Sequence, residues 1–303
     1  MKKKIGFLLI FLLMPASVFL MRRLFGEGHD VITSAVLLAE TMVPFLLSYE
    51  SRRPRAREIV MIAVLSALTV IGNLLSFSFL PIQAGTAMVI LSGIAFGPEA
   101  GFLIGALARF TVNFFQGQGA WTPWQMFCWG LLGFLAGLCF HKYEKGEMNS
   151  RRFRVMMGPI LCVIFCEIAA WIFYLLFPMG ESTFFGWRLY AAGAVGLILG
   201  AVFQRSRLPA DRVTVCVFSF AAVFIIYGGI MNICTQLVSA AVPGGTDLSA
   251  AGLKALYISG VPYDFWHALR TSFFVLLFGD GILKRLERVK VKYGFYRIGY
   301  TNF

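Results

Sequence analysis

The stretch Ala87–Phe110, AMVILSGIAFGPEAGFLIGALARF, consists of two apolar segments that are separated only by Gly97 and Pro98. Proline lacks an amide hydrogen and clashes with the preceding helical turn, so a helix does not continue through it unkinked. The pair therefore predicts a tight turn between two helices. Glycines recur every four residues here, which places them on one helix face and lets neighbouring backbones approach closely. These glycines are Gly93, Gly97, Gly101 and Gly105.

The rest of the chain is equally apolar. Hydrophobic residues make up 58% of the 303 residues, charged residues make up 14%, and the mean hydropathy is +0.76. A soluble domain carries about 25% charged residues. Runs of about 20 apolar residues recur, as membrane-spanning helices require, and the short alternating segments of a membrane barrel do not. We predict an all-α polytopic membrane protein with ten segments, at about 5–22, 31–49, 58–78, 82–97, 99–116, 123–141, 153–178, 187–204, 211–239 and 263–284.

The distribution of basic residues predicts the orientation of these segments. If the N-terminus is cytoplasmic, most of the 27 Lys and Arg residues fall in cytoplasmic segments. This is the positive-inside pattern, so both termini are expected in the cytoplasm. The net charge of +12 is then a topology signal and not a nucleic-acid patch, and no nucleic-acid-binding module is recognisable. The basic residues expected outside are Arg22, Arg23, Arg188 and Lys254.

The first segment also has the basic start and apolar core of a signal peptide. Its cleavage site is poor and Arg22-Arg23 follows directly, so we expect the segment to be retained. Cleavage would leave the orientation of the other nine segments unchanged.

Polar residues concentrate in the stretch Gly117–Met126, GQGAWTPWQM, which the predicted topology places outside. Thr122 is suited to cap the next helix, with Pro123 at its first position and Gln125 at its third. Trp121 and Trp124 fit the membrane–water boundary. Tryptophan also offers a flat apolar face to a ligand, and glutamine donates and accepts at an amide. Anchoring and ligand contact are compatible, and both interpretations stay open.

A second outer motif, Pro262–His267, PYDFWH, begins the last predicted segment. Asp264 is suited to cap that helix, and His267 can bond either a ligand or a neighbouring helix. Arg109 and Arg270 are expected to face the bundle interior, with Glu167 as a candidate partner, because an unpaired charge costs about 2.5 kcal/mol or more at mid-membrane. The predicted ligand-binding residues are Asn113, Gln116, Gln118, Trp121, Trp124, Gln125, Asn232, Tyr263, Asp264 and His267. A predicted lid includes Asn73, Ser76 and Gln83.

Four motifs follow one another along the chain. Ala63 and Ala67 form an AxxxA pair, which by itself usually marks close helix packing. The GPEAG and GQGxWTPWQM motifs come next, followed by YGGIMN and then by GVPYDFWHALRTSFF ahead of a basic tail. In this combination the chain resembles the substrate-binding S components of energy-coupling factor (ECF) vitamin transporters. The resemblance covers about 56–141 and 211–293, and it is closest to the branch thought to include cobalamin S components.

This resemblance implies a six-helix core that captures a vitamin, cobalamin by preference, from outside the cell. It also implies three partner chains, namely a transmembrane coupling subunit and two cytoplasmic ATPases, with Ala63 and Ala67 docking on the coupling subunit. The chain departs from the family by an N-terminal helix pair, 1–55, and by a hairpin at about 150–206 inserted into the core, 56–303. No cofactor is implied, and membrane lipid is the remaining partner.

Two other functions stay open on the sequence alone. A stand-alone secondary transporter often shows inverted repeats, and none is evident. An intramembrane enzyme needs a nucleophile with a base, or a metal cluster, but there is no GxSxG or HExxH and the six cysteines lack metal spacing. No GxxxxGK[ST] motif occurs, so any ATPase is a separate chain. We therefore expect a transport subunit without catalytic residues or a bound metal.

Overall fold

The computed structural model describes residues 30–50, 54–78, 82–141, 152–177, 186–203, 211–241 and 249–294, with six single residues outside these ranges. The regular structure in these ranges is helical. The helices are α1 (Asp30–Glu50), α2 (Ala56–Ser78), α3 (Ala84–Phe96), α4 (Pro98–Gln116), α5 (Thr122–Phe140), α6 (Arg152–Leu176), α7 (Trp187–Phe203), α8 (Arg212–Ala240) and α9 (Ala250–Lys292). The predicted segment 5–22 lies almost wholly outside the described ranges.

Four of these helices are long and apolar enough to cross a membrane. They are Val31–Glu50, Ala56–Ser76, Thr122–Phe140 and Arg212–Ala240, and shorter apolar helices cover Ala84–Phe96, Cys162–Leu176 and Trp187–Gly200. The all-α, multi-pass membrane class is therefore confirmed. The number of about ten segments stays a prediction.

Helix α3 lies at the centre of the bundle and packs on α2, α4, α5 and α9. Nearly all of its 13 residues are buried, because it is apolar on every side and a helix of that kind must be surrounded by protein or lipid. The predicted turn follows it directly. Gly97 adopts a φ of +96°, which favours glycine, and Pro98 begins α4.

The glycine spacing brings the backbones of α3, α4 and α5 into direct contact. A Cβ atom built on Gly133 of α5 would lie 2.3 Å from the carbonyl oxygen of Gly101 on α4. A Cβ on Gly93 of α3 would lie 2.0 Å from the carbonyl oxygen of Gly133. The prediction of close helix packing at Gly93 and Gly101 is confirmed, and Gly133 is the residue of α5 that both of them approach.

Replacing Gly133 by alanine is expected to lower the thermal unfolding midpoint of the purified protein. The added methyl group must push α4 and α5 apart, and overpacking of this kind costs about 1–3 kcal/mol. The matched control is Gly281→Ala on α9, where nothing lies within 4 Å of the added Cβ. That variant should unfold at the wild-type midpoint or above it, because alanine favours a helix more than glycine does. Equal midpoints for the two variants would contradict the tight contact.

The two ends of the bundle differ in charge. At one end, here called the mouth end, α2 and α4 finish and α3 and α5 begin. At the opposite end, here called the basic end, α2 and α8 begin and α9 finishes. Arg57 donates to the carbonyl oxygen of Tyr293 there at 2.6 Å, and Arg212 lies 3.4 Å from Asp280. The described basic residues gathered at this end are Arg55, Arg57, Arg212, Lys284, Arg285, Arg288, Lys290 and Lys292.

Helix α9 corrects the predicted last segment, 263–284. The helix has 43 residues and begins at Ala250, where the hydroxyl of Ser249 accepts from the amide of Gly252 at 3.0 Å. The prediction that Asp264 caps this helix is therefore wrong, and Pro262 lies inside the helix. The sequence signal was misleading because proline and aspartate are common at the start of a helix and unusual in its interior, where both lie here.

Helix α8 combines two α-helical parts with a π-helical turn. Residues Arg212–Ala222 and Gly229–Ala240 are α-helical, and Val223–Gly228 form the π-helical turn between them. Turns of this kind are rare and often lie at functional sites. The sequence carries no signal that predicts it.

Helices α1, α6 and α7 lie outside the other six. Helix α1 packs on α4 and α5, where Phe45 stacks on Phe102 with ring centroids 4.0 Å apart. Helices α6 and α7 pack chiefly on each other, and α7 connects the pair to α8 and α9. This packing agrees with a separate hairpin, whose status as an insertion stays a prediction.

Candidate ligand-binding site

Polar side chains of α4 and α5 are hydrogen-bonded to one another at the mouth end. Asn113 is 1% exposed, and its Nδ2 donates to Thr122 Oγ1 at 3.1 Å and to Gln125 Oε1 at 2.9 Å. Gln116 Nε2 donates to Asn73 Oδ1 on α2 at 3.1 Å. We call this set the amide network, and its members are Asn73, Arg109, Asn113, Gln116, Gln118, Thr122 and Gln125.

Arg109 is the central member of the amide network. Its Nε donates to Gln125 Oε1 at 2.9 Å and its Nη1 donates to Gln116 Oε1 at 3.2 Å. The guanidinium lies 5.3 Å from the ring centroid of Trp129, within the range of a cation–π contact. The prediction that Arg109 faces the bundle interior is confirmed. Its role in joining the glutamines was not predicted, because Gln125 meets Arg109 only across the α4–α5 turn, whereas Gln116 lies two turns further along α4 itself.

The loop between α4 and α5 is part of the same network. Gly117 adopts a φ of +106°, and Gln118 Nε2 donates to the carbonyl oxygen of Phe110 at 3.2 Å. The hydroxyl of Thr122 donates to Gln118 Oε1 at 2.8 Å and accepts from the amide of Gly119 at 3.1 Å. The loop is therefore ordered by side chains that also reach α4.

The predicted capping box is wrong. Trp121 occupies the cap position without a side-chain bond, and Thr122 is already helical. Thr122 bonds backwards to the loop, and Gln125 bonds sideways to Arg109 and Asn113. Tertiary partners on α4 have replaced the local bonds that the motif would otherwise make.

The tryptophans of the motif have different positions. Trp121 is 38% exposed and its ring covers Gly119, where an added Cβ would lie 2.5 Å from the indole. Trp124 is buried, and its Nε1 has no hydrogen-bond partner in the described part of the chain. The same holds for Asn113 Oδ1. Buried polar atoms are nearly always paired, so each of these two atoms is available to a ligand or to water.

His267 lies in the same half of the bundle on α9. One of its ring nitrogens, Nε2, lies 3.1 Å from Thr86 Oγ1 on α3, and Nδ1 has no partner among the described residues. Tyr227 from the π-helical turn meets the imidazole edge to face, with centroids 4.6 Å apart. His267 is thus paired with a neighbouring helix and still has one ring nitrogen available to a ligand.

Asp264 and Asn232 are hydrogen-bonded to each other and to a third residue, and their assignment as ligand contacts stays a prediction. Asn232 Nδ2 donates to Asp264 Oδ2 at 3.0 Å, and the Tyr190 hydroxyl donates to the same oxygen at 2.5 Å. All three side chains are buried. Tyr190 belongs to α7 and was not predicted, because a single tyrosine in an apolar segment carries no signal. The available clue was Asp264 itself, because a carboxylate buried in a membrane segment needs a hydrogen-bond donor on a neighbouring helix.

The structure does not bring two other predicted residues into this arrangement. Tyr263 is 71% exposed on the surface of α9, and its assignment as a ligand contact stays a prediction. Arg270 is also exposed, so the prediction that it faces the interior is wrong. Position 270 lies on the face of α9 that carries Trp266 and Phe273, which are both exposed, and a long arginine can reach along that face towards polar surroundings. Glu167 on α6 is half-buried beside Gly193 of α7, and the ion pairs seen among the described residues do not join it to Arg109 or Arg270.

The predicted lid is partly described. The hydroxyl of Ser76 accepts a hydrogen bond from the amide of Ala84 at 3.0 Å and so gives the first amide of α3 a partner. Gly85 packs so closely on Asn73 that an added Cβ would lie 2.7 Å from its Cβ. Residues 79–81 lie outside the described residues, and the role of the loop as a lid stays a prediction.

Ala63 and Ala67 lie on an exposed apolar face of α2. Both are exposed, and the surrounding side chains are large and apolar. Those neighbours are Ile59, Val60, Val64, Leu68, Ile71 and Leu75. Two alanines within such a face form a shallow groove into which another helix can pack closely.

Comparisons with known proteins identify the family. Residues 54–173 match the family model described as the ECF-type riboflavin transporter, S component. A UPF0397 protein of Aliivibrio fischeri (strain MJ11) is 30% identical over 146 residues, which are 45% of this chain and 73% of that protein. The chain belongs to the S components of ECF transporters. This family consists of transporter components and not of enzymes.

Further relatives of this S component have the same designation. A UPF0397 protein of Vibrio atlanticus (strain LGP32) is 30% identical over 112 residues, 34% of this chain and 60% of that protein. One of Aliivibrio salmonicida (strain LFI1238) is 34% identical over 89 residues, 27% of this chain and 48% of that protein. No solved structure matches. The predicted preference for cobalamin is not supported, since the matching family model is of the riboflavin type.

Proposed function

We propose that this S component captures a vitamin with a planar ring at its mouth end and delivers it for uptake into the cell. The observation that carries the proposal is the pair of buried, unpartnered atoms at that end, Asn113 Oδ1 and Trp124 Nε1. One accepts a hydrogen bond and the other donates one. Leaving such atoms unpaired costs about 1–3 kcal/mol each, so a ligand that offers both an N–H and a carbonyl would stabilise the site.

The spacing of the amide network favours a small ring over a corrin. Its side chains bond directly to one another across α2, α4 and α5 at 2.9–3.2 Å. A corrinoid would have to break several of these bonds in order to enter between the helices. A flavin ring presents an imide edge, which offers the N–H and carbonyl groups that Asn113 Oδ1 and Trp124 Nε1 lack, and a flat face that suits an indole. Riboflavin, which the family model names, is therefore our first ligand, and cobalamin is the second.

The binding experiment uses the purified full chain in lipid nanodiscs without any partner. Riboflavin is titrated with detection of its fluorescence and of the heat of binding, and cobalamin is titrated in parallel. We expect saturable one-to-one binding and quenching of flavin fluorescence by the tryptophans. Binding of cobalamin but not riboflavin would contradict the ring size that we propose, and the absence of heat with both would contradict vitamin capture.

The partners that we propose follow from the family and from the surface of α2. S components work with a transmembrane coupling subunit and ATPases, and this chain has no nucleotide-binding GxxxxGK[ST] motif of its own. The exposed face around Ala63 and Ala67 is the proposed docking surface, because its small residues permit close helix approach. The mouth end is proposed to face outwards and the basic end inwards, in agreement with the positive-inside pattern.

A further inference from the structure

The π-helical turn of α8, Val223–Gly228, is held by side chains from two other helices. Tyr190 on α7 and Asn232 on α8 both donate to Asp264 Oδ2 on α9, at 2.5 Å and 3.0 Å. The carboxyl group lies directly on the turn, because a Cβ atom added to Gly228 would be 2.5 Å from the carboxyl carbon of Asp264. The three bonded side chains are 3–8% exposed, so water does not compete for these bonds. We call this set the Tyr190 brace.

A second contact satisfies the backbone where the turn ends. The Tyr257 hydroxyl on α9 donates to the carbonyl oxygen of Gly229 at 2.8 Å. A π-helical turn replaces i→i+4 hydrogen bonds by i→i+5 bonds, and the Tyr257 hydroxyl gives the carbonyl group at its end an additional donor. Side chains of α7 and α9 thus form hydrogen bonds next to the π-helical turn and at its end.

The register of α8 depends on this turn. Converting the π-helical turn to α-helix would shift the following segment by one residue, which is a rotation of about 100°. Asn232 would then leave Asp264. Tyr227, within the turn, would leave its edge-to-face contact with His267, whose other bond is to Thr86 on α3. The bonds of the brace therefore favour the π-helical register over a continuous α-helix.

We infer that Tyr190 and Asp264 are positioning residues for ligand binding, because they hold α8 in the register that keeps Tyr227 against His267. The inference rests on the proposed function, in which the mouth half of the bundle binds the vitamin. It also gives the α6–α7 hairpin a role, since one of its side chains completes the brace. The hairpin is then an integral part of the binding unit and not a separate accessory.

The test compares Tyr190→Phe with the wild-type full chain in nanodiscs. The substitution removes only the hydroxyl, and the ring can keep its stacking on Phe224, whose centroid is 5.2 Å away. We expect the Kd for riboflavin to rise about tenfold, since a hydrogen bond to a charged group is lost. Hydrogen–deuterium exchange of the amides at 223–236 should become faster, while α2–α5 exchange as before. Tyr174→Phe, a hydroxyl removed from the same hairpin, is the matched control and should change neither quantity.

A second variant separates positioning from general stability. Asp264→Asn keeps the shape of the side chain and one acceptor oxygen but removes the charge, so it should weaken binding by no more than Tyr190→Phe does. The double variant should be no weaker than the worse single variant, because both substitutions act on the same Tyr190–Asp264 bond. Unchanged exchange at 223–236 in Tyr190→Phe would overturn the brace. Faster exchange there with an unchanged Kd would overturn its link to the site. If the wild type binds no vitamin, the proposed function fails, and the exchange result still decides whether Tyr190 holds the turn.

Discussion

Replacing Arg109 by glutamine is expected to weaken riboflavin binding by about 100-fold. The guanidinium makes charge-assisted bonds to Gln125 and Gln116 and lies over Trp129. Hydrogen bonds to charged groups contribute about 1.5–3 kcal/mol each, and two of them are lost together. Without the guanidinium, Gln116 and Gln125 lose the donor that fixes their carbonyl oxygens and are no longer held in position for a ligand. Titration of the purified variant in nanodiscs measures the effect.

The matched control for that variant is Arg270→Gln. It removes the same charge from the same half of the bundle, but Arg270 is exposed on α9. Its Kd should stay within about twofold of the wild type, as is usual for a surface substitution away from a site. Arg109→Lys should fall between the two, because lysine keeps the charge but not the planar fork. If the Arg109→Gln variant bound riboflavin as tightly as the wild type, the amide network would not be part of the binding site.

Replacing Ala63 and Ala67 together by leucine is expected to reduce ATP-dependent vitamin uptake at least tenfold, while the Kd of the isolated subunit changes by less than about twofold. Close helix approach in a membrane depends on small residues, and two added isobutyl groups would hold the partner helix away. The fold should tolerate both changes, because the two positions are exposed. Uptake is measured in cells that also produce the coupling subunit and the ATPases, and binding is measured on the purified variant.

An alanine elsewhere on the apolar surface controls for bulk alone. Ala169 is exposed on α6, and Ala169→Leu should leave both uptake and binding as they are in the wild type. Loss of uptake in both variants would mean that the α2 face has no special role. Normal uptake in the Ala63/Ala67 variant would place the coupling subunit on another surface.

The helices and their packing were predictable because lipid imposes simple requirements. Each apolar segment within the described ranges became a helix, since unpaired backbone groups are not tolerated in a membrane. The Gly97-Pro98 turn followed from local chemistry, and close helix packing at Gly93 and Gly101 followed from the absence of a side chain. These features depend on residue type and spacing, which a sequence displays directly.

The errors arose where tertiary contacts replaced local ones. Thr122 and Asp264 both have the chemistry of capping residues, yet each accepts a hydrogen bond from another helix. The donor is Asn113 for Thr122 and Tyr190 for Asp264. Arg270 was predicted to face the interior because a charge exposed to lipid is costly, although a long side chain at a helix surface can reach polar surroundings. The sequence records the donor and the acceptor but not which pair will meet.

The candidate site was predictable in composition and not in connectivity. The polar residues after Arg109 were expected at the mouth, and five of them form one network with Arg109 and Asn73. The register of the α4–α5 contact decides which of them meet, and it depends on glycines a full turn or more away. The π-helical turn and Tyr190 had no sequence signal, because the turn is stable only through contacts that the folded bundle supplies.

Labelling of Gln118→Cys in intact cells tests the central claim, that the mouth end faces outwards and binds the vitamin. Position 118 is exposed in the loop between α4 and α5, and the unsubstituted chain measures the background from the six native cysteines. We expect a membrane-impermeant maleimide to react from outside and riboflavin to slow that reaction, whereas Arg288→Cys at the basic end should react only after permeabilisation. Reaction of position 118 only from the cytoplasm would contradict capture from outside.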